Sequence, residues 1–286
     1  MPRQRPITFS EALSAALCAM LFAIPAYAWP GRLTEEFHHS YPISANGRIE
    51  LENLNGSVHI TAWDQNEVKV DAVKFANTKE RLDEMKIEVE AENDFVSIRT
   101  HYPDHNHTFN GGWNDPGGVE YTVTVPRTAR LDEISLVNGS LDVHGVAGEV
   151  RASCVNGKLT AQDLTGRLEL STVNGKLDAQ LQPLGDNSIQ LSSVNGGLEV
   201  TLPSDANARI EASTVSGGID DDFGLHVNHH RWIGHDLRAE LGTGRTRIEL
   251  SNVNGHIEIR HANDGRAMSP VKDLGSSDKD DDDDEI

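Results

Sequence analysis

At 286 residues and a formal net charge of −20, the chain is too acidic to dock on nucleic acid or anionic lipid through clustered Lys and Arg. Of its two cysteines, Cys18 lies within the first 28 residues, so Cys154 stands alone in the remainder and a disulfide framework is excluded.

In chain order, residues 1–28 read as a secretory signal peptide. Arg3 and Arg5 give a basic start, Ala12 to Ile24 is mostly apolar, and Ala26-Tyr27-Ala28 is a cleavage site of the A-x-A type. The apolar stretch is short for a membrane span, and an uncleaved anchor is the alternative. Cleavage would leave an exported chain beginning at Trp29, periplasmic or at the cell surface, with no transmembrane segment. Residues 29–126 form a β-rich region. Within it Gly47 to Ile60 resembles Arg247 to Ile259, Val68 to Val73 reads as a strand, and Thr78 to Met85 as a short helix capped by Thr78. Residues 101–118 are a His/Gly-rich loop carrying Tyr102, Phe109 and Trp113, and Val119 to Val125 alternates as a strand up to Pro126.

Residues 127–262 hold the repeats. Each strand-like run ends in Val-(Asn/Ser)-Gly and restarts two residues later with Leu or Ile. The corner pairs are Asn138-Gly139, Asn156-Gly157, Asn174-Gly175, Asn195-Gly196, Ser216-Gly217 and Asn254-Gly255, at intervals of 18, 18, 21, 21 and 38 residues. A looser copy is Leu54-Asn55-Gly56, and the second corner of many units carries Gly145, Gly148, Gly166 or Gly185. Apolar residues alternate with polar ones before each corner, as in Leu168/Leu170 and Ile189/Leu191, which marks strands with one buried face. A unit of this size cannot bury its own apolar face, but stacked units can. The expected fold is all-β: a parallel β-solenoid of 18–21 residue Val-Asn-Gly repeats, coils about 4.8 Å apart, with the N-terminal β-rich region capping one end. Gly at the corner admits positive φ, and stacked Asn side chains can hydrogen-bond as a ladder. Asn-Gly is also a hairpin signal, so an antiparallel meander competes. Recurrence of like residues at one depth favours stacking.

An insertion at 218–244 interrupts the period and gathers Phe223, His226, His229, His230, Arg231 and Trp232 in a chain of 5% aromatic content. Phe223, His229, His230 and Trp232 are therefore the candidate partner surface, with hydrophobic capping of the last coil as the other reading. Residues 263–286 form a tail ending in the acidic run Asp280 to Glu285, whose composition is that of a disordered segment.

Together the Tyr121 to Pro126 strand-Pro junction, the recurring Val-Asn-Gly, the run Ser216 to Phe223 and the run Gly242 to Ile248 resemble the bacterial putative-adhesin family of β-strand-repeat proteins of unknown function. The resemblance covers about residues 33–260. It implies an exported or surface-associated β-solenoid and transfers no catalytic residue.

The titratable residues point weakly to chemistry. His101, Asp104, His105 and His107 have ligand types at short spacings but match no ligand motif, and read as a solvated loop. Asp220, Asp221, Asp222, His226, His229, His230, His235 and Asp236 likewise lack the Gly-punctuated spacing of a calcium loop. Glu169, Glu199 and Glu249 fall on outward strand positions rather than facing across a cleft, as a glycosidase would require. Cys154 takes a slot held elsewhere by Thr172, Ser193 and Thr214 and reads as scaffold. No catalytic residue, metal ligand or cofactor is assigned. The expected function is that of an exported, non-enzymatic, adhesin-like binding or scaffold protein of the cell envelope, whose partner is an envelope protein or a surface glycan. A periplasmic accessory or sensor protein contacting a membrane signalling partner is the second expectation, and a carbohydrate-active enzyme the third.

Overall fold

The computed structural model describes residues 32–102, 117–229 and 234–275. The segment read as a signal peptide, most of the His/Gly-rich loop, Trp232 and the acidic run lie outside the described residues. The described chain is all-β apart from one short helix. Its first region comprises β1 (Leu33–Pro42), β2 (Arg48–Asn55), β3 (Val58–Trp63), β4 (Glu67–Ala76), α1 (Lys79–Glu84), β5 (Lys86–Ala91), β6 (Phe95–His101) and β7 (Gly118–Pro126). The repeats contribute β8 (Arg130–Asn138), β9 (Leu141–His144), β10 (Val150–Asn156), β11 (Leu159–Gln162), β12 (Leu168–Asn174), β13 (Leu177–Gln180), β14 (Ile189–Asn195), β15 (Leu198–Leu202), β16 (Ala208–Ser216) and β17 (Ile219–Asp221). They are followed by β18 (Val227–His229), β19 (His235–Leu241), β20 (Thr246–Asn254), β21 (Ile257–His261) and β22 (Val271–Asp273).

Each repeat places its longer strand in one sheet and its shorter strand in another, joined by the Val-(Asn/Ser)-Gly corner. Neighbouring repeats pair in parallel with like residues in register: Leu170 faces Leu191, Ser171 faces Ser192 and Asn174 faces Asn195. Inward side chains of both sheets, such as Leu168, Leu170, Leu177 and Ala179, merge into one buried cluster. The period-two alternation thus becomes a shared core, because each repeat covers the apolar face its neighbour cannot bury alone.

Chain order and spatial order diverge at both ends. Along the stack the order is β6/β7, β2/β3, β8/β9, β10/β11, β12/β13, β14/β15, β20/β21 and β16/β17. At the C-terminal end the sixth repeat slots between the fourth and the fifth: β14 pairs with β20, and β20 with β16. The segment after β17 returns as β19, antiparallel on the far edge of β16. Two three-residue strands, β18 and β22, then cover parts of the outer edge of β19. The 242–245 turn crosses over Asn207, whose Oδ1 accepts from Thr243 N (3.1 Å) and Thr243 Oγ1 (3.2 Å). Much of the apparent insertion is therefore an edge cover rather than a protruding loop. Short antiparallel covers of this kind stop a sheet edge from templating further strands.

The N-terminal end is closed in a similar way. β6 and β7 extend the stack beyond β2 and β3, and β5 and β4 lie antiparallel on them, with β1 outside β4. α1 begins at Thr78, whose Oγ1 accepts from Arg81 N at 3.3 Å. Its last carbonyls are met by Lys74 Nζ, buried 3.3 Å from Met85 O and 2.7 Å from Glu35 Oε1. A cation suits that end, where unpaired carbonyls concentrate negative charge.

Candidate functional site

Three columns define the corner edge. In the first, Asn Nδ2 donates to the Asn Oδ1 one repeat away: Asn138 to Asn55 (2.8 Å), Asn156 to Asn138 (2.9 Å), Asn174 to Asn156 (2.9 Å), Asn195 to Asn174 (3.1 Å) and Asn254 to Asn195 (3.0 Å). Ser216 takes the corner position at the end of the row. The second column is glycine. Gly175 has φ +153°, and a Cβ there would sit 1.9 Å from Gly157 O. Only a residue without a side chain allows this stacking distance. The third column is buried and polar. Asn53, Asn252 and Thr214 donate to corner glycine carbonyls at 2.8–3.3 Å, and the Cys154 thiol donates to Gly139 O at 3.4 Å. Burial pushes the Cys154 thiol up, which disfavours the thiolate a nucleophile needs.

At the N-terminal end of this edge, the Tyr102 hydroxyl donates to Asn53 Oδ1 (2.9 Å) and accepts from Asn55 N (3.1 Å). Burial pushes the phenol up to about 12, partly offset by backbone hydrogen bonds at Asn55 and Leu54.

Outside these columns the corner valines face solvent. Val173, Val194, Val253 and Val215 are 39%, 39%, 42% and 53% exposed, and Leu54 40%. Val137 and Val155 continue the row, half-buried. Beside it runs a row of Ser135, Ser153, Ser171, Ser192, Ser251 and Ser213. The outer face of the longer-strand sheet therefore carries an uncharged strip along the stack. Alternation gave the signal: each corner Val has the opposite parity from the buried Thr172, Ser193 and Thr214.

Further from the corner the same face is charged. Glu169 lies 3.4 Å from Arg151, and Glu249 lies 2.6 Å from Arg247. On the other sheet Glu199 pairs with Lys176. Glu169 and Glu199 thus pair between neighbouring repeats, and Glu249 pairs within its own strand.

At the N-terminal end of the charged face lies an open cleft of about 500 Å³. Phe95, Arg48 and Arg130 form its floor, as register partners on β6, β2 and β8. Ser44 and Asn46 from one turn, and Glu92 and Asp94 from another, form its rim. The guanidinium of Arg48 lies 4.7 Å from the centre of the Phe95 ring. Sequence reading missed this cleft, since its rim comes from turns with no repeat signature.

Phe223 is 6% exposed and packs in the core, edge-on to His261 with ring centres 6.1 Å apart. The His229 side chain, His230 and Trp232 lie outside the described residues. The surrounding acidic residues diverge: Asp220 pairs with His256 (2.7 Å), Asp221 accepts from Leu225 N (2.8 Å) and Asp222 faces Arg260 (3.4 Å). Asn228 donates to Asp236 at 3.4 Å. His101 bonds Glu88, while Asp104, His105 and His107 lie outside the described residues. Among the described residues no group of three or more His, Cys, Asp or Glu is placed to hold a metal ion. No described helix is long and apolar enough to cross a membrane.

No family model and no curated protein matches the chain. Solved structures do. A putative cell adhesion protein of Clostridium sporogenes is 13% identical, with 80% of this chain and 100% of that chain covered at a TM-score of 0.47. A putative adhesin of Bacteroides fragilis is 11% identical, with 79% and 97% covered at a TM-score of 0.30, and a putative lipid binding protein of Parabacteroides distasonis is 11% identical, with 80% and 97% covered at 0.25.

Proposed function

We propose that this chain is an exported, non-enzymatic binding or scaffold protein of the bacterial cell envelope, adhesin-like, built on a parallel β-solenoid of Val-Asn-Gly coils. The observation that carries the reading is the uncharged strip of corner valines and adjoining serines, continuous across stacked repeats. A row of exposed aliphatic side chains costs solubility and is the mark of a contact surface. Here it is held on a stack whose in-register strands and Asn ladder fix its spacing at about 4.8 Å per repeat. Binding to such a surface needs little ordering of the protein. The preferred partner is a surface glycan, because an extended polymer can follow the strip.

The test is capture from envelope extract by the purified mature chain, with Val173→Glu/Val194→Glu as control. The expected result is a retained envelope component that the double variant loses while its melting temperature stays near wild type, since both sites face solvent. Equal capture by both proteins overturns the role of the strip, and no capture by the wild type overturns the binding role. Export is tested separately by N-terminal sequencing of secreted protein, which should begin at Trp29.

A further inference from the structure

We propose that the cleft over Phe95 binds an acidic sugar, a hydroxyl-rich monocarboxylate of the uronic acid class, at a place distinct from the valine strip. The floor supplies the anion site. Arg48 and Arg130 are register partners on adjacent parallel strands, so their side chains leave the same face from backbones about 4.8 Å apart. Phe95 is the register partner of Arg48 on its other side, and its ring holds the Arg48 guanidinium in a stacked orientation. The carboxylates nearest Arg48 are Asp132 and Glu50, at 3.7 and 3.9 Å from Nε. These are ion pairs longer than hydrogen-bond length, so among the described residues the Arg48 side chain donates no hydrogen bond to a protein group. Arg130 reaches Asp132 through Nη2 at 3.1 Å and Glu149 through Nε at 4.0 Å, and its Nη1 adds two more donors. A planar carboxylate fits such a pair of forks.

The rim selects what the anion is attached to. Among the described residues the carboxylates of Glu92 and Asp94 make no hydrogen bond or ion pair, although backbone bonds fix their turn: Glu92 N donates to Phe95 O at 2.7 Å and Arg48 N to Asp94 O at 2.8 Å. Free carboxylates accept hydrogen bonds from hydroxyls, and Asn46 can both donate and accept. The same carboxylates argue against a phosphate dianion. It would bring two negative charges beside Glu92, Asp94, Glu50 and Asp132 on a chain of net charge −20. One carboxylate adds half that charge and can meet the donors of Arg48 and Arg130 that Glu50, Asp132 and Glu149 leave open. An ammonium ligand attracted to the rim would meet both arginines on the floor. The ligand that satisfies floor and rim together carries one carboxylate and several hydroxyls.

This inference deepens the glycan-binding reading but uses other residues, so the two fail separately. The experiment is calorimetric titration of the mature full chain with galacturonate, neutral galactose and inorganic phosphate. The expected result is saturable binding of galacturonate, with galactose weaker by about tenfold or more, the loss anticipated for missing charge-assisted hydrogen bonds. Arg48→Gln and Asp94→Asn should each weaken galacturonate binding by about tenfold at unchanged melting temperature, and phosphate should not displace it. The Asp94 carboxylate has no described partner, so Asp94→Asn remains informative if Arg48→Gln proves unstable. No saturable binding of galacturonate, binding insensitive to Asp94→Asn, or displacement by phosphate overturns the proposal. Envelope capture that persists in a chain failing this titration leaves the binding role standing without this site. Titration that succeeds in a chain capturing nothing leaves the site standing without the envelope role.

Discussion

Asn254 donates to the side chain of Asn195 at 3.0 Å although 59 residues separate them, while Ser216, which lies between them in sequence, is the register partner of Asn254 on its far side. The sixth repeat has been laid inside the fifth. Two parallel register partners lie within the Cα separation a disulfide spans, and strands two apart do not. In a Cys154→Ser background, Ser192→Cys with Ser251→Cys should therefore oxidise to an intramolecular disulfide, read as a mobility shift on non-reducing gels. Ser192→Cys with Ser213→Cys should stay reduced. The reverse pattern would mean that the repeats stack in chain order.

Gly175 tests the corner. Its φ of +153° and the 1.9 Å approach of any Cβ to Gly157 O make a side chain doubly unfavourable. Gly175→Val should lower unfolding free energy by about 3 kcal/mol, whereas Glu169→Gln, on the exposed charged face, should change it by less than about 0.5 kcal/mol. Chemical denaturation of the three proteins decides it, and equal midpoints would remove the corner constraint.

Phe223 separates covering from recognition at the C-terminal end. Its ring is buried and packs on His261. Phe223→Ala should destabilise the chain by about 3 kcal/mol through the cavity it leaves. A variant that melts like wild type but loses the captured envelope component would instead restore Phe223 to the partner surface.

The outer strand β1 should respond to pH. Hydrogen bonding to Asp71 (2.7 Å), then to Glu36, raises the pKa of His38 above its ordinary value. Burial pushes the Asp71 carboxyl up, but hydrogen bonds from Lys69 and His38 outweigh it and hold the group below its ordinary value. A raised His pKa gives stability that is full below the unfolded value near 6.5 and is lost as pH rises through the folded value. The Asp71 contribution is present above its unfolded value and is lost as pH falls through the depressed one. The melting difference between wild type and His38→Ala should thus be larger at pH 5.5 than at pH 9. A difference independent of pH would mean that the pair does not act electrostatically.

The sequence by itself determined the local features. Alternation of Leu168/Leu170 and Ile189/Leu191 with polar neighbours dictated one-faced strands, because side-chain direction has period two. Recurrent Asn-Gly dictated corners, since glycine admits the positive φ that each corner uses. Thr78 marked the start of α1 through a bond three residues long. The tertiary structure alone decided which repeat neighbours which. β16 and β20 present Ile210/Ala212 and Ile248/Leu250 at the same depth, so either strand offers β14 a matching partner, and sequence periodicity cannot rank the two. The turn over Asn207 and the antiparallel pairing of β19 with β16 settle the order. The cleft was illegible for a related reason. Ser44, Asp94 and Arg130 belong to three separate segments, and their convergence depends on β6 stacking outside β2 and β8 inside it, a long-range pairing that no short stretch of sequence encodes.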